Sequence, residues 1–149
     1  MIAIGRESFT NTSFAQIRMM SETERSLVWV RMRYPGRPCM SHALLQEIVQ
    51  AQGLIARRAQ HELLNKVPQR LSYQVLASDQ AGVFNLGVDL EYFLQLIGAN
   101  DAQRLSAYAR TCIDLVYGSA TNYQLPFTTM ALVQGQALGG GFEAALAST

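Results

Sequence analysis

The alternation of strand-like and helix-like segments predicts an α/β fold for this chain of 149 residues. Two strand patterns precede a long helix pattern, and strands followed by helices return further along the chain. The last strand-like segment, residues 130–133, is wholly apolar, as in a strand buried inside an α/β sheet. A chain of this length can bury roughly two-thirds of its unfolded surface, which is enough for a core of its own.

The first two strands are predicted at residues 14–20 and 27–32. The polar residues 21–25 between them suit a hairpin connection. Trp29 fits the half-buried surface of the second strand, because aromatic side chains pack well on a pleated face. A loop must follow, because residues 34–38 contain two prolines and a glycine.

A long helix is predicted after this loop, with Ser41 as its N-cap. Pro68 limits the helix, which can extend as far as Leu64. Its apolar side chains recur at helical spacing: Leu44, Leu45, Ile48, Val49, Leu54 and Ile55. A third strand at residues 71–78 and a turn at residues 79–82 complete this part of the chain.

Two more helices are predicted from apolar stripes, the first of them starting near Asp89. Leu90, Phe93, Leu94 and Ile97 form the first stripe. Leu105, Tyr108, Ala109, Cys112, Leu115 and Val116 form the second, so that Cys112 is expected on a buried face. The strand at residues 130–133 comes next, and Phe142 begins a last helix.

Composition excludes several classes of protein. The net charge is only +1, from 12 basic and 11 acidic side chains, so neither charge-driven disorder nor nucleic-acid binding is supported. No CxxC pair is present, and neither histidine has a partner at metal-ligand spacing, so no metal site is expected. The chain has no apolar run of the roughly 20 residues that a membrane helix needs, so a cytoplasmic protein is expected. Charged residues make up only 15%, which suggests a surface covered by another subunit.

Two places combine a strand, a glycine-bearing turn and a helix start. The first contains Gly87 and Val88, and the second contains three adjacent glycines, Gly139, Gly140 and Gly141. Glycine lets a ligand approach the main chain, and two N–H groups that converge on one point form an oxyanion hole. Glu143 lies one turn into the helix that starts at the three glycines, close enough to act on a substrate bound there.

The alternatives for these glycines are ordinary packing and phosphate binding. A single glycine in a turn usually serves only to let the chain form a loop. Three adjacent glycines at a helix start are harder to explain in this way, because they lower helix stability relative to alanine. The triple glycine matches neither the dinucleotide-binding pattern nor the P-loop, and Glu143 would repel a phosphate.

The two glycine-bearing segments together resemble the crotonase (enoyl-CoA hydratase/isomerase) superfamily. Residues 84–90, FNLGVDL, are similar to its first oxyanion-hole segment, and residues 131–143, ALVQGQALGGGFE, are similar to its second. Within the superfamily, the amino-acid sequence most resembles that of the diffusible-signal-factor (DSF) synthases of bacterial quorum sensing. The segments that carry this similarity are residues 84–93, 112–117 and 135–146, with residues 37–39 before the long helix.

The resemblance implies a crotonase-like spiral of ββα units, assembled as an oligomer such as a trimer. It assigns the oxyanion N–H groups to Val88 and Gly140 and a catalytic role to Glu143. Turns at Gly87, Gly139 and Gly141 would support these groups. An acyl tunnel lined by Leu90, Phe93, Leu94 and Ile97 is also expected, with core packing as the simpler alternative for each of them. Neither a cofactor nor a metal is implied.

The reaction implied by the resemblance is dehydration of a 3-hydroxyacyl chain on acyl carrier protein to the cis-2-enoyl thioester. Hydrolysis to a free fatty-acid signal would follow. One alternative is an enoyl-CoA hydratase or isomerase that acts on acyl-CoA, and another is a non-catalytic fragment. A signalling sensor protein is a possible partner by the same resemblance.

The position of the second family glutamate lies beyond Thr149. Residues 1–149 are therefore expected to be the N-terminal part of a crotonase-like domain, truncated at its C-terminal side. Val88 also stands where a DSF synthase has glycine, although it supplies an N–H all the same. Because it holds only one of the two carboxylates, the isolated chain is expected to show little or no turnover.

Overall fold

The part of the chain that the structure describes is built from three successive units, each of which has strands followed by helix. The computed structural model describes residues 14–148. The units are β1 (Ile17–Glu22), β2 (Leu27–Met32) and α1 (His42–Leu64); β3 (Tyr73–Ser78), β4 (Gly82–Asn85), α2 (Leu90–Gly98) and α3 (Ala102–Ala120); and β5 (Thr128–Ala131), β6 (Gly135–Ala137) and α4 (Gly140–Leu146). The predicted α/β class is confirmed.

The first unit is an antiparallel hairpin followed by the predicted long helix. Strand β1 lies three residues later than the beginning predicted for it, at residues 17–22 rather than 14–20. The carboxylate of Glu47 explains the late start, because it accepts the N–H groups of Ala15, Gln16 and Ile17 at 2.7–3.1 Å. Ser41 caps α1 as predicted, accepting the Leu44 N–H at 3.1 Å.

The main sheet has the strand order β1-β2-β3-β5. Strands β1 and β2 are antiparallel, whereas β2, β3 and β5 are parallel to one another. Helix α1 packs on this sheet and against α3, and its buried apolar residues form the centre of the core: Leu44, Leu45, Ile48, Ala51, Ile55 and Ala59. Parallel strands separated by helices are the arrangement that βα crossovers produce.

A second, smaller sheet pairs β4 with β6 in parallel, and the sequence did not predict it. These strands have only four and three residues, too few to show an alternating pattern. Glycine is required at position 135, which pairs with Gly82 at the start of the two strands, because its φ is +138° and because an added Cβ would overlap the backbone of Gly82. This sheet brings the end of β4 next to the end of β6.

The predicted buried strand at residues 130–133 is wrong in register and in burial. Strand β5 occupies Thr128–Ala131, and Thr129 is its only buried residue. Leu132 and Val133 follow the strand and are exposed. An apolar run signals burial only inside a complete sheet, and β5 pairs here with β3 on one side alone.

Helices α2 and α3 form as predicted, but of the apolar stripe on α2 only Phe93 packs against the core. Leu96 is the one buried residue of α2, whereas Leu90, Leu94 and Ile97 are exposed to 59%, 71% and 60%. Further large apolar side chains are exposed on α3, on α4 and on the turn before α4: Ile113, Tyr117, Leu138, Phe142 and Leu146. The described part of the chain therefore presents far more apolar helix surface than scattered single residues would give.

Candidate active site

The two glycine-bearing turns meet at the ends of β4 and β6. The Leu138 N–H donates to the Asn85 carbonyl at 2.9 Å, which joins the two segments directly. Gly87 has a φ of +95°, and a Cβ at this position would lie 2.9 Å from the Leu138 oxygen and 3.2 Å from the Gly140 nitrogen. Only glycine allows so close an approach in that conformation.

The direction of the Val88 N–H is fixed by the carbonyl of the same peptide. The Gly87 oxygen accepts the Met40 N–H at 2.7 Å, and Met40 pairs with Val88 as an isolated parallel bridge. The described chain has no cis peptide, so the Val88 N–H points away from Met40. Among residues 14–148, no backbone or side-chain acceptor receives it.

The Gly140 N–H is held in the same way. The Gly139 oxygen, in the same peptide, accepts the Glu143 N–H at 3.0 Å, so the Gly140 N–H points out of the start of α4. A Cβ at Gly140 would lie 3.8 Å from the Val88 nitrogen, which places the two peptides side by side. No acceptor among the described residues takes this N–H either. The two N–H groups are thus adjacent and free to bind a common acceptor.

An apolar cavity of about 360 Å³ opens beside these two peptides. Among residues 14–148, Glu143 is the only charged residue on its wall. The other lining residues come mainly from α3, with further ones from the start of α1 and from the two glycine-bearing turns: Met40, Leu45, Val88, Cys112, Ile113, Leu115, Val116, Tyr117, Ala120 and Gly140. The wall thus combines apolar side chains with Glu143 and with the two residues that carry the free N–H groups, a composition typical of small-molecule sites.

The acyl tunnel predicted along α2 is not where the cavity lies. Leu90, Phe93, Leu94 and Ile97 do not line it. Phe93 packs its ring edge-on against Tyr108, with ring centroids 5.2 Å apart, and the other three are exposed. The α3 residues of the wall were predicted as helix, but their stripe could not show that part of it faces a cavity rather than the core.

Cys112 is only half-buried, and it lines the cavity instead of filling the core. Burial, and then the negative charge of Glu143, raise the pKa of the Cys112 thiol. The pKa of Cys39 is raised mainly by burial as well. Both thiols are therefore poorer nucleophiles than an ordinary exposed cysteine.

Val88 fits its turn without strain. The described non-glycine residues with positive φ do not include it, so a β-branched side chain is acceptable there. Its side chain lines the cavity, with Cγ1 at 3.6 Å from the Cβ position of Gly140. The difference from glycine at this position therefore leaves the free N–H in place.

No three or more His, Cys, Asp or Glu side chains within residues 14–148 are grouped as a metal would require. No helix in this part of the chain has the length and apolar character to cross a bilayer.

The three ββα units, the parallel pairing and the two meeting turns define a crotonase-like α/β fold, as predicted. Solved structures share this arrangement. An enoyl-CoA hydratase/carnitine racemase from Magnetospirillum magneticum matches with a TM-score of 0.74 and 19% identity, over 97% of this chain and 48% of that one. DspI of Pseudomonas aeruginosa matches with a TM-score of 0.72 and 16% identity, over 95% and 50%.

The fold alone does not fix the reaction. A methylmalonyl CoA decarboxylase also matches, with a TM-score of 0.65 and 16% identity, over 93% of this chain and 44% of its own. The chain thus spans about half the length of the structures that it resembles. No family model and no curated protein sequence matches it.

Proposed function

We propose that this chain carries the oxyanion hole of a crotonase-type enzyme that acts on acyl thioesters. The observation that carries the proposal is the pair of adjacent, unused N–H groups of Val88 and Gly140 beside an apolar cavity. A thioester oxygen gains negative charge when an α-proton is removed or when water attacks the carbonyl. Two fixed donors stabilise that charge, and the loss of one such donor in other enzymes costs ~10²–10³ in rate.

The more specific proposal is a DSF synthase-like reaction, and the similarity of residues 84–93, 112–117 and 135–146 to those enzymes supports it. A base removes the α-proton of a 3-hydroxyacyl thioester, and the β-hydroxyl leaves with a proton from an acid, which gives the enoyl thioester and water. Water then attacks the thioester carbonyl and releases the free fatty acid and the carrier thiol. We assign one of the two carboxylates to Glu143, which lies on the cavity wall.

The alternative is an enoyl-CoA hydratase or isomerase that uses the same site with coenzyme A. The similarity to the enoyl-CoA hydratase/carnitine racemase of Magnetospirillum magneticum supports this alternative. Turnover of acyl-CoA, with none of acyl carrier protein substrates, would select this alternative. A non-catalytic fragment is the third possibility, and it predicts no turnover unless a complementary half is supplied.

Residues 1–149 are proposed to be the N-terminal part of the domain, since they span about half of each similar structure. We propose a cytoplasmic oligomer, a trimer in the simplest case, which would cover part of the exposed apolar helix surface. A signalling sensor is proposed as a partner on the family resemblance alone.

The test of the catalytic assignment is Glu143→Gln in a full-length version of the protein. Free acid released from 3-hydroxyacyl carrier protein is measured, with Glu91→Gln as the control, because Glu91 is a glutamate outside the cavity wall. We expect Glu143→Gln to lose most activity and Glu91→Gln to keep it. Unchanged free-acid production by Glu143→Gln would contradict the assigned role.

A further inference from the structure

Asn85 binds the N–H of Gly87, the residue before Val88, from a fully buried position. Its side-chain oxygen accepts the Gly87 N–H at 2.8 Å, and its side-chain nitrogen donates to the Tyr34 hydroxyl at 3.1 Å. The Tyr34 hydroxyl in turn donates to the Phe84 carbonyl. The orientation of the Asn85 amide is thus determined at both of its ends.

Tyr108 holds the peptide after Val88, and it is also fully buried. Its hydroxyl accepts the Asp89 N–H at 3.1 Å and donates to the Met40 carbonyl. The N–H of the same Met40 donates to the Gly87 oxygen. The phenol ring packs edge-on against Tyr92 and Phe93, with centroids 5.5 and 5.2 Å away, which fixes its position.

The consecutive N–H groups of Gly87, Val88 and Asp89 therefore differ in their hydrogen-bond partners. Those of Gly87 and Asp89 are each bound by a buried side chain, and that of Val88 between them is left unused. We propose that Asn85 and Tyr108 are positioning residues, which bind the two flanking N–H groups and so hold the Val88 N–H toward a thioester oxygen. This inference rests on the proposed function for the role of Val88, and on geometry alone for the two anchors.

Packing alone does not account for the Tyr108 hydroxyl. A phenylalanine would make the same ring contacts without burying a polar group, and a buried hydroxyl costs free energy unless it is hydrogen-bonded. The hydroxyl here joins two segments distant in sequence, Met40 before α1 and Asp89 before α2. Because both segments lie beside Val88, the two hydrogen bonds of the Tyr108 hydroxyl fix the position of this turn rather than the position of α3.

The first test measures amide hydrogen exchange in the free chain for Tyr108→Phe. The matched control is Tyr123→Phe, because Tyr123 is a partly buried tyrosine whose hydroxyl donates to Gln74 at 2.7 Å, away from the turn. We expect Asp89 exchange to rise about threefold to tenfold more in Tyr108→Phe than in the control, from the loss of one hydrogen bond. Asn85→Ala should do the same for Gly87. Equal Asp89 exchange in Tyr108→Phe and Tyr123→Phe would overturn the anchoring role.

The second test adds the octanoyl thioester of N-acetylcysteamine and follows the Val88 amide by NMR. We expect the Val88 proton to move downfield in the unchanged protein and in Tyr123→Phe, with binding weakened about threefold to tenfold in Tyr108→Phe. The same weakening in both variants would show a general structural effect and overturn the positioning role. If the thioester moves neither the Val88 nor the Gly140 amide in the unchanged protein, the proposed function fails at this site, and with it the link to Val88. The exchange measurement still decides the anchoring.

Discussion

Gly141 and Gly140 are neighbours in α4, and replacing each by alanine should have opposite effects on stability. A Cβ at Gly141 would overlap the Asn85 carbonyl oxygen and lie 2.8 Å from both the carbonyl carbon and the Cβ of Asn85. At Gly140, the nearest atom to an added Cβ is the Val88 Cγ1 at 3.6 Å, an ordinary contact. The two variants therefore differ in the space available, although both add one methyl group to the same helix.

The expected magnitudes follow from two opposing terms. Alanine gains up to about 1 kcal/mol over glycine from helix propensity at either position. Overpacking costs about 1–3 kcal/mol, and the upper part of that range applies at Gly141 because backbone atoms of Asn85 cannot rotate away. Gly140→Ala should thus be neutral or stabilising, and Gly141→Ala should destabilise by about 1–2 kcal/mol.

Thermal and urea unfolding of the two variants would test this difference. For a chain of this size, 1 kcal/mol corresponds to about 2–4 °C in Tm, so Gly141→Ala should melt about 4–12 °C below Gly140→Ala if the two differ by about 2–3 kcal/mol. Equal midpoints for the two variants would refute the close approach of α4 to the end of β4, and with it the adjacency of the two turns.

Three further changes have expected outcomes that follow from the contacts described above. Glu47→Ala should lower the free energy of unfolding by about 1.5–3 kcal/mol in urea titrations, because three backbone N–H groups lose a charged acceptor; a loss below that range would mean that water replaces the carboxylate. Burial raises the pKa of Tyr34 to about 12, so above pH 10 the unfolded chain binds fewer protons than the folded one and stability should fall as the pH rises from about 10 to about 12. Tyr34→Phe should make that fall shallower in unfolding measured across this range, and an unchanged slope would contradict the shift. Leu94→Lys should change stability by no more than about 0.5 kcal/mol because the side chain is exposed, whereas Leu96→Lys should prevent folding; circular dichroism and urea unfolding of both variants check this contrast, and similar stabilities would contradict the orientation of α2.

Local signals in the sequence were enough to predict the elements whose positions depend on adjacent residues. Ser41 and the stripe beginning at Leu44 predicted α1 and its cap correctly, because capping and helical periodicity are properties of adjacent residues. The polar hairpin connection and Trp29 likewise placed β2 at residues 27–32, where the structure has it. The crotonase-like arrangement came from resemblance, and the three ββα units confirm it.

Features that depend on distant partners were missed or misjudged. The stripe of Leu90, Leu94 and Ile97 showed correctly that α2 has an apolar face, but not that this face is exposed in the described chain. Strands β4 and β6 are stabilised by each other and by the close approach at Gly135, which no local pattern reports. The cavity wall on α3 escaped for the same reason, since a helical stripe is alike whether it faces a core or a ligand.

The infrared carbonyl stretch of a ¹³C-labelled acyl thioester bound to the chain would report whether the N–H groups of Val88 and Gly140 bind the carbonyl oxygen. Gly140→Pro deletes one of the two proposed donors at the first position of α4, where a helix tolerates proline. We expect the stretching frequency to fall on binding to the unchanged protein, because two N–H groups polarise the carbonyl, and to return partly toward the free value in Gly140→Pro. A bound thioester whose frequency equals that in water, or is the same in both proteins, would show that Val88 and Gly140 do not form an oxyanion hole.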